Sequence, residues 1–511
     1  MRALPTAPKA LITVTFVAVT VVVGLALTAC HVTLDDPGSE PLASQMYYPA
    51  SLLVDPELPY LYIANANSDV RFGGGTVMVA DLARFSCAVE QTRAVADGKP
   101  DVDAARCPTA KDDSGACSTD YFDPQVINCD ETRFVLANST VKIGNYAGQM
   151  VLQRRDNDQR RLFVGVRGDP SVTWLDIDPA RLRSGRGALD CYDPATLARL
   201  DAQPSFDPAT DRPSPTLCDV SHLIQNYVCA GEPNCVMGSN LLPVEPFGLA
   251  LDQGTRSDGS PYAHLMVSHL AGGQVTMLDV QAGPVVQYVS SSFFAADTAM
   301  RHGAYSLTPQ YPGQFDSLWY MASTVQPVVA TFKLTDRGTL VAGTSFTTSG
   351  LFSTGLDTRN LVFEEDGQRA FLAQANPPVQ MVLDTHVRTD GPAPDTNANV
   401  VVDVVDICQS PSDLVRRRDA FGRQRLYSPC FLTGQVAVVD PDRPQLLDFI
   451  SVGRGPARMA FHTDTTLNPK QRAYVANFLE STVSVIDFDP GSPTEQRMVA
   501  RLGIPVPPPA P

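Results

Sequence analysis

A chain of 511 residues, 44% apolar and 18% charged, can build several cores and is not a disordered tail. Its 39 Lys and Arg stand against 55 Asp and Glu, a net charge of −16, which excludes a general nucleic-acid binder because phosphate contact needs a positive field. Forty-two prolines and 35 glycines suit many short strands better than long helices.

In chain order the first element is a leader. Arg2 and Lys9 precede an apolar run from Ala10 to Leu27, which ends in Leu27-Thr28-Ala29-Cys30. A basic start, an apolar centre and small residues before a cut describe a secretory signal peptide. Its end on a cysteine, with Leu27 three residues before and Ala29 directly before, resembles the lipobox of bacterial lipoproteins. The resemblance implies cleavage after 1–29, a lipid on the Cys30 thiol and a membrane-anchored protein of the bacterial cell envelope. Such chains anchor by burying CH₂ groups at roughly 0.8 kcal/mol each. His31 follows the cysteine where that family's inner-membrane retention signal has Asp, so the outer membrane is the expected address. The alternative is an uncleaved membrane helix. Losing Arg2 and Lys9 with the leader takes the charge from −16 to −18. Residues 30–44 read as a short polar tether, and no later stretch approaches eighteen apolar residues in a row.

Ten further cysteines remain, an even count that suits an oxidising compartment. Cys87, Cys107, Cys117 and Cys129 form one cluster, and Cys191, Cys218, Cys229 and Cys235 a second. Disulfides are expected within each cluster and between Cys408 and Cys430. Metal ligation is the alternative, but no paired C-x-x-C occurs.

Most of the chain is internally repetitive. An apolar strand, a polar turn and a second strand ending on aspartate recur: Tyr60-Leu61-Tyr62-Ile63-Ala64-Asn65 precedes Gly75 to Asp81, and Arg472-Ala473-Tyr474-Val475-Ala476-Asn477 precedes Ser481 to Asp487. Five drifted copies lie between, begun by Arg161, His264, Leu318, Arg369 and Arg425, with the closing aspartate absent from the one begun by Leu318. Each copy has a strand before it and usually one after. Four short strands per unit, separated by Gly, Pro and Asp turns, make the pattern of a propeller blade. The recurring aspartates are expected to bond nearby backbone in turns.

The repeat resembles the YVTN family of seven-bladed β-propellers, through Tyr62-Ile63-Ala64-Asn65, Tyr474-Val475-Ala476-Asn477 and the V-x-V-(I/A)-D strand after each. The resemblance covers 45–503 and implies an all-β ring of seven four-stranded blades. The fourth tetrad position departs from Asn in the middle copies, at Val166, His269, Ser323, Gln374 and Cys430. Wide spacing across the first two gaps marks 86–128 and 181–240 as disulfide-stapled insertions on blades 1 and 2; a ring of eight or nine blades is the alternative. Insertions on a rigid scaffold commonly carry function. Residues 504–511 form a Pro-rich tail.

Catalytic signatures are scarce: no G-x-S-x-G elbow, phosphate loop, H-E-x-x-H helix or C-x-x-C-H is present. Topology selects candidates instead. In a four-stranded antiparallel blade, the turn between the second and third strands shares a face with the start of the first. That rim holds Asn65, His269, Ser323, Gln374 and Asn477, with Glu245, Arg301, His302, Arg359 and Arg458 just before or at the start of first strands. His269 and His302, from neighbouring blades, could converge on a metal or shuttle a proton, though a structural histidine is the commoner case. No cofactor and no metal site is assigned. Calcium is the one candidate ion, at Asp156-Asn157-Asp158 or Asn65-x-Asn67-x-Asp69, without EF-hand spacing. The basic runs Arg154-Arg155 and Arg416-Arg417-Arg418 read as solvated loops.

The leading functional expectation is a non-catalytic scaffold, a lipid-anchored propeller presenting a binding surface to an envelope protein or surface polymer. The alternatives are a lactonase-like hydrolase, since lactonases occur on a similar ring, and a cofactor-dependent oxidoreductase. Propellers host many unrelated activities, so the fold alone does not choose.

Overall fold

Each strand pair read from the sequence is the middle of an antiparallel sheet, and there are seven such sheets. The computed structural model describes residues 38–155, 158–183, 187–202, 214–225, 242–281, 286–293, 303–335, 339–348, 356–388 and 396–505. The blades span 49–143, 147–225, 246–293, 304–347, 356–406, 415–451 and 456–502. Within each, the strands lie side by side in chain order, from an innermost first to an outermost fourth. The fold is therefore the expected all-β propeller, with seven blades and not eight or nine.

Period-two alternation explains the assembly. In Tyr60–Asn65, Leu61 and Ile63 face blade 7 while Tyr60, Tyr62 and Ala64 face blade 2. Both faces of every blade are buried this way, and seven apolar clusters fill the seven gaps between blades. Trp174 and Trp319 are wholly buried in two of them. The closing aspartates behave as turn residues: Asp81, Asp279, Asp384, Asp440 and Asp487 each accept a backbone N–H from two or three residues further on. Asp176 instead pairs with Arg161 at 2.7 Å.

The first insertion lies between the third and fourth strands of blade 1 and the second splits the fourth strand of blade 2, and each reaches back to the preceding blade. In blade 1, a helix over Leu82–Ala96 leads to Cys117–Thr119 and Ile127–Cys129. Ile127–Cys129 then pairs in parallel with Ala500 to Leu502, the outermost strand of blade 7. In blade 2, the fourth strand is split into Leu189–Asp190 and Leu223–Gln225. The segment between them sends Leu217 to a parallel bridge with Lys142 on the outer edge of blade 1. Two sheet edges are thereby covered, and the first insertion clasps the last blade to the first.

The staples are Cys87–Cys107, Cys117–Cys129, Cys191–Cys218 and Cys408–Cys430, the first three each within one cluster and the last as expected. Cys229 and Cys235 lie outside the described residues, as do the leader and Cys30. No helix among the described residues is long and apolar enough to cross a membrane.

Candidate functional site

The site grows from one backbone device repeated around the ring. One residue near the start of each innermost strand is left-handed: Tyr48, Tyr146, Glu245, Asp357 and Ser410 at φ between 49° and 70°, with Gly303 and Gly455 at 77° and 67°. For a residue with a Cβ that conformation costs of order 1 kcal/mol, so surrounding bonds must hold it. They do: the carbonyls of Tyr48, Tyr146, Glu245, Gly303, Ser410 and Gly455 each accept the N–H of the residue after the tetrad of their own blade. The next residue then pairs with the fourth tetrad position, as in Pro49 with Asn65, Pro246 with His269 and Pro456 with Asn477.

Immediately afterwards the register slips in six blades. In blade 6, the bridge from Pro411 to Cys430 is separated from regular pairing by Ser412 to Leu414. A bulge re-aims the extra residue. The seven residues at this step, Ala50, Gly148, Phe247, Tyr305, Arg359, Ser412 and Ala457, all line one axial cavity of about 280 Å³. The residue after the tetrad adds Ala66, Arg167, Phe431 and Phe478, and the step after the bulge adds Arg458.

Three guanidiniums from blades 2, 5 and 7 thus meet in a chain of net charge −16. Each is backed by a carboxylate that is not in the lining. Arg458 Nη1 is 2.8 Å from Asp413 Oδ1, Arg359 Nε is 2.6 Å from Asp357 Oδ1, and Arg167 Nη2 is a looser 3.7 Å from Glu245 Oε1. Asp413 is itself fixed by Asn360 and the Met459 N–H. Burial is the largest influence on Arg359 and Arg458 and acts to lower their pKa. Tyr305 with Asp357 beside Arg359, and Asp413 with Tyr305 beside Arg458, more than reverse it and hold both above the ordinary arginine value. Aromatic rings make the rest of the wall. Phe247 and Tyr305 lie 4.4 Å apart, Phe431 and Phe478 5.8 Å apart, and the Arg359 guanidinium 5.1 Å from the Tyr305 ring. Among the described lining residues there is no imidazole, carboxylate or thiol. Such a wall offers directed N–H donors and flat apolar surface, which suits a small anion with a planar or hydroxylated body.

The tetrad residues lie on the face that holds the cavity but do not line it. Asn65, His269, Ser323, Gln374 and Asn477 are all fully buried beneath it. Asn65 donates to Thr76, Asn477 to Thr482 and Ser484, and Gln374 to the Asn376 carbonyl, while Ser323 accepts the N–H groups of Val325 and Gln326. His269 bonds the Val244 carbonyl through Nδ1 and Thr276 through Nε2, and burial pushes its pKa down to about 4. A neutral ring with its proton on Nδ1 satisfies both bonds. These side chains lock turns. Arg359 and Arg458, from the same rim, do reach the cavity; Arg301 and His302 lie outside the described residues. At the Asn65-x-Asn67-x-Asp69 site, the Oδ1 atoms of Asn65 and Asn67 accept the Tyr47 and Phe72 N–H groups. Asp156 and Asn157 lie outside the described residues.

Apart from Arg359, the bulge residues carry no common chemistry that would mark them in the sequence. Their signal is positional: each directly follows the Pro, Ala or Thr that pairs with the fourth tetrad position, and aligning the seven lead-ins would have isolated them.

No protein-family model matches the chain, and no curated protein matches it. Solved structures do resemble it. The periplasmic gluconolactonase PpgL of Pseudomonas aeruginosa is 17% identical with a TM-score of 0.43, covering 69% of this chain and 85% of that one. Hydrazine synthase of Kuenenia stuttgartiensis is 12% identical with a TM-score of 0.45, covering 86% and 96%. The β-propeller domain of Cps50 from Myceliophteria thermophila is 9% identical with a TM-score of 0.44, covering 88% and 96%. At these values the likeness carries no argument about chemistry.

Proposed function

We propose that the protein is an envelope lipoprotein, acylated at Cys30 and placed in the outer membrane, whose propeller is a non-catalytic binding module. Its repeat tetrads support membership of the YVTN propellers. Its axial cavity takes a small anion, or an anionic group of an envelope partner or surface polymer. One observation carries this reading: three carboxylate-backed arginines converge among aromatic rings, and no general base stands beside them among the described lining residues. A lactonase-like hydrolase could use the guanidiniums to hold an oxyanion, but it would also need a group to activate water.

The test is calorimetric titration of the full-length protein with gluconate, inorganic phosphate and glucose. The reading expects binding of an anion but not of glucose, weakened about tenfold or more by Arg359→Gln, since a charged hydrogen bond is worth about 1.5–3 kcal/mol. Arg167→Gln, at a more exposed site, should weaken it less. Proton release from D-glucono-1,5-lactone above the uncatalysed rate, abolished by Arg359→Gln, would replace this reading with the hydrolase.

A further inference from the structure

The cavity has a mouth, and the chain comes off the same face. Ser39 bridges Phe72 in the second-to-third-strand turn of blade 1, the turn that also supplies Ala66 and Ser68 to the lining. Thr140 donates to the Ala43 carbonyl, Lys142 pairs with Glu40, and the Tyr48 ring lies tilted 5.2 Å from that of the lining residue Phe478. The tether is thus fastened along the mouth face from residue 39 inward. Only eight residue steps separate Gly38 from Cys30. Fully extended they span at most about 28 Å. The innermost strands run to nine and ten residues, as in Pro456–Asp464 and Pro246–Thr255. At about 3.3 Å per residue the ring is therefore about 30 Å tall, and a tether starting at the mouth would be used up before it reached the opposite face.

The turn tips differ between the two faces. On the mouth face, Val70, Val325, Leu432 and Leu479 occupy second-to-third-strand turns of blades 1, 4, 6 and 7 and are 45–68% exposed, and among the described residues only the turns of blades 1 and 2 carry exposed acids, Asp69 and Asp169. On the far face, the corresponding turns of the first five blades carry exposed acids, including Glu57, Asp158, Asp258, Asp316 and Asp366. Blade 6 is the exception, with Phe421 75% exposed. Apolar tips around an arginine-lined mouth suit a bilayer surface with anionic headgroups, and exposed acids are repelled by it.

We infer that the mouth face lies against the membrane that holds the anchor, with the apolar turn tips in the headgroup layer and the cavity opening toward lipid phosphate. This rests on acylation at Cys30, so anchorage and orientation must be read separately. The full-length lipidated protein is reconstituted into phosphatidylethanolamine and phosphatidylglycerol vesicles containing brominated lipid. Flotation reports the anchor. Tryptophan quenching in Leu432→Trp, Leu479→Trp and Phe421→Trp reports orientation, with Trp174 and Trp319 as a buried background. Insertion to the headgroup and acyl boundary should cut the added emission at positions 432 and 479 at least about twofold and leave position 421 unchanged. Failure to float overturns the anchor and the orientation together. Flotation with equal quenching at all three positions, with quenching at 421 alone, or with none overturns the orientation and leaves the anchor standing. The result with no quenching would give the mouth to a protein or polymer partner.

Discussion

Glu131 is a carboxylate that the fold holds at a cost, and replacing it should show how much. It is buried where the first insertion, the segment before blade 1 and the chain leaving blade 7 meet, with Oε1 accepting the Met46 N–H. Burial, reinforced by Asp130 and only partly offset by backbone N–H groups, pushes its pKa up from 4.5 to about 7. Because the folded value lies above the unfolded one, the native state binds the extra proton. The associated stability is fully present below pH 4.5 and is lost as pH rises through 7. At 1.36 kcal/mol per unit, that loss is on the order of 3 kcal/mol. Glu131→Gln keeps the acceptor oxygen and removes the titration. Urea unfolding of both proteins, followed by the emission of the buried Trp174 and Trp319, should give equal stability near pH 4.5. By pH 7.5 the variant should be more stable by about the stated amount. Parallel stability curves across this range would refute the reasoning, since they would mean that Glu131 ionises as freely in the fold as in the unfolded chain.

His269 should show no ring titration by NMR above pH 5, and its share of stability should fall as pH drops from 6.5 through about 4, the opposite sign to Glu131. Replacing Cys117 and Cys129 together by Ala opens a 12-residue loop and should cost about 2–3 kcal/mol. Limited proteolysis should then cut within 117–129, because that staple holds Ile127–Cys129 against blade 7. An unchanged melting temperature and cleavage pattern would show that the clasp holds without it.

The ring was legible because its signal is redundant. Seven copies of a strand pair such as Tyr60–Asn65 with Gly75–Asp81 repeat the same alternation, and both faces of each pair must be apolar to fill gaps on either side. The clasp was not legible as such. Ile127–Cys129 is three residues long and pairs with residues more than 370 positions away, so no local pattern distinguishes it from loop. At the mouth, strand topology points to the face that holds the cavity, while polarity points to side chains that do not line it. Asn477 and His269 are polar because they must satisfy turn backbone and neighbouring hydroxyls while fully buried. Phe247 and Tyr305, which read as core residues, face the cavity because a bulge turns them out of the alternation.

That bulge separates two demands that most folds impose on the same residues. The strand residues beyond it fill the gaps between blades, and the left-handed residue before it makes the turn. The bulged residue itself pairs with no strand partner in the register. Read around the axis, the seven positions spell Ala, Gly, Phe, Tyr, Arg, Ser, Ala, a sequence of free choices written on an invariant frame. Mutation can therefore rewrite what the ring recognises one letter at a time, while the gap-filling layers that make it a ring go on unaware of the change.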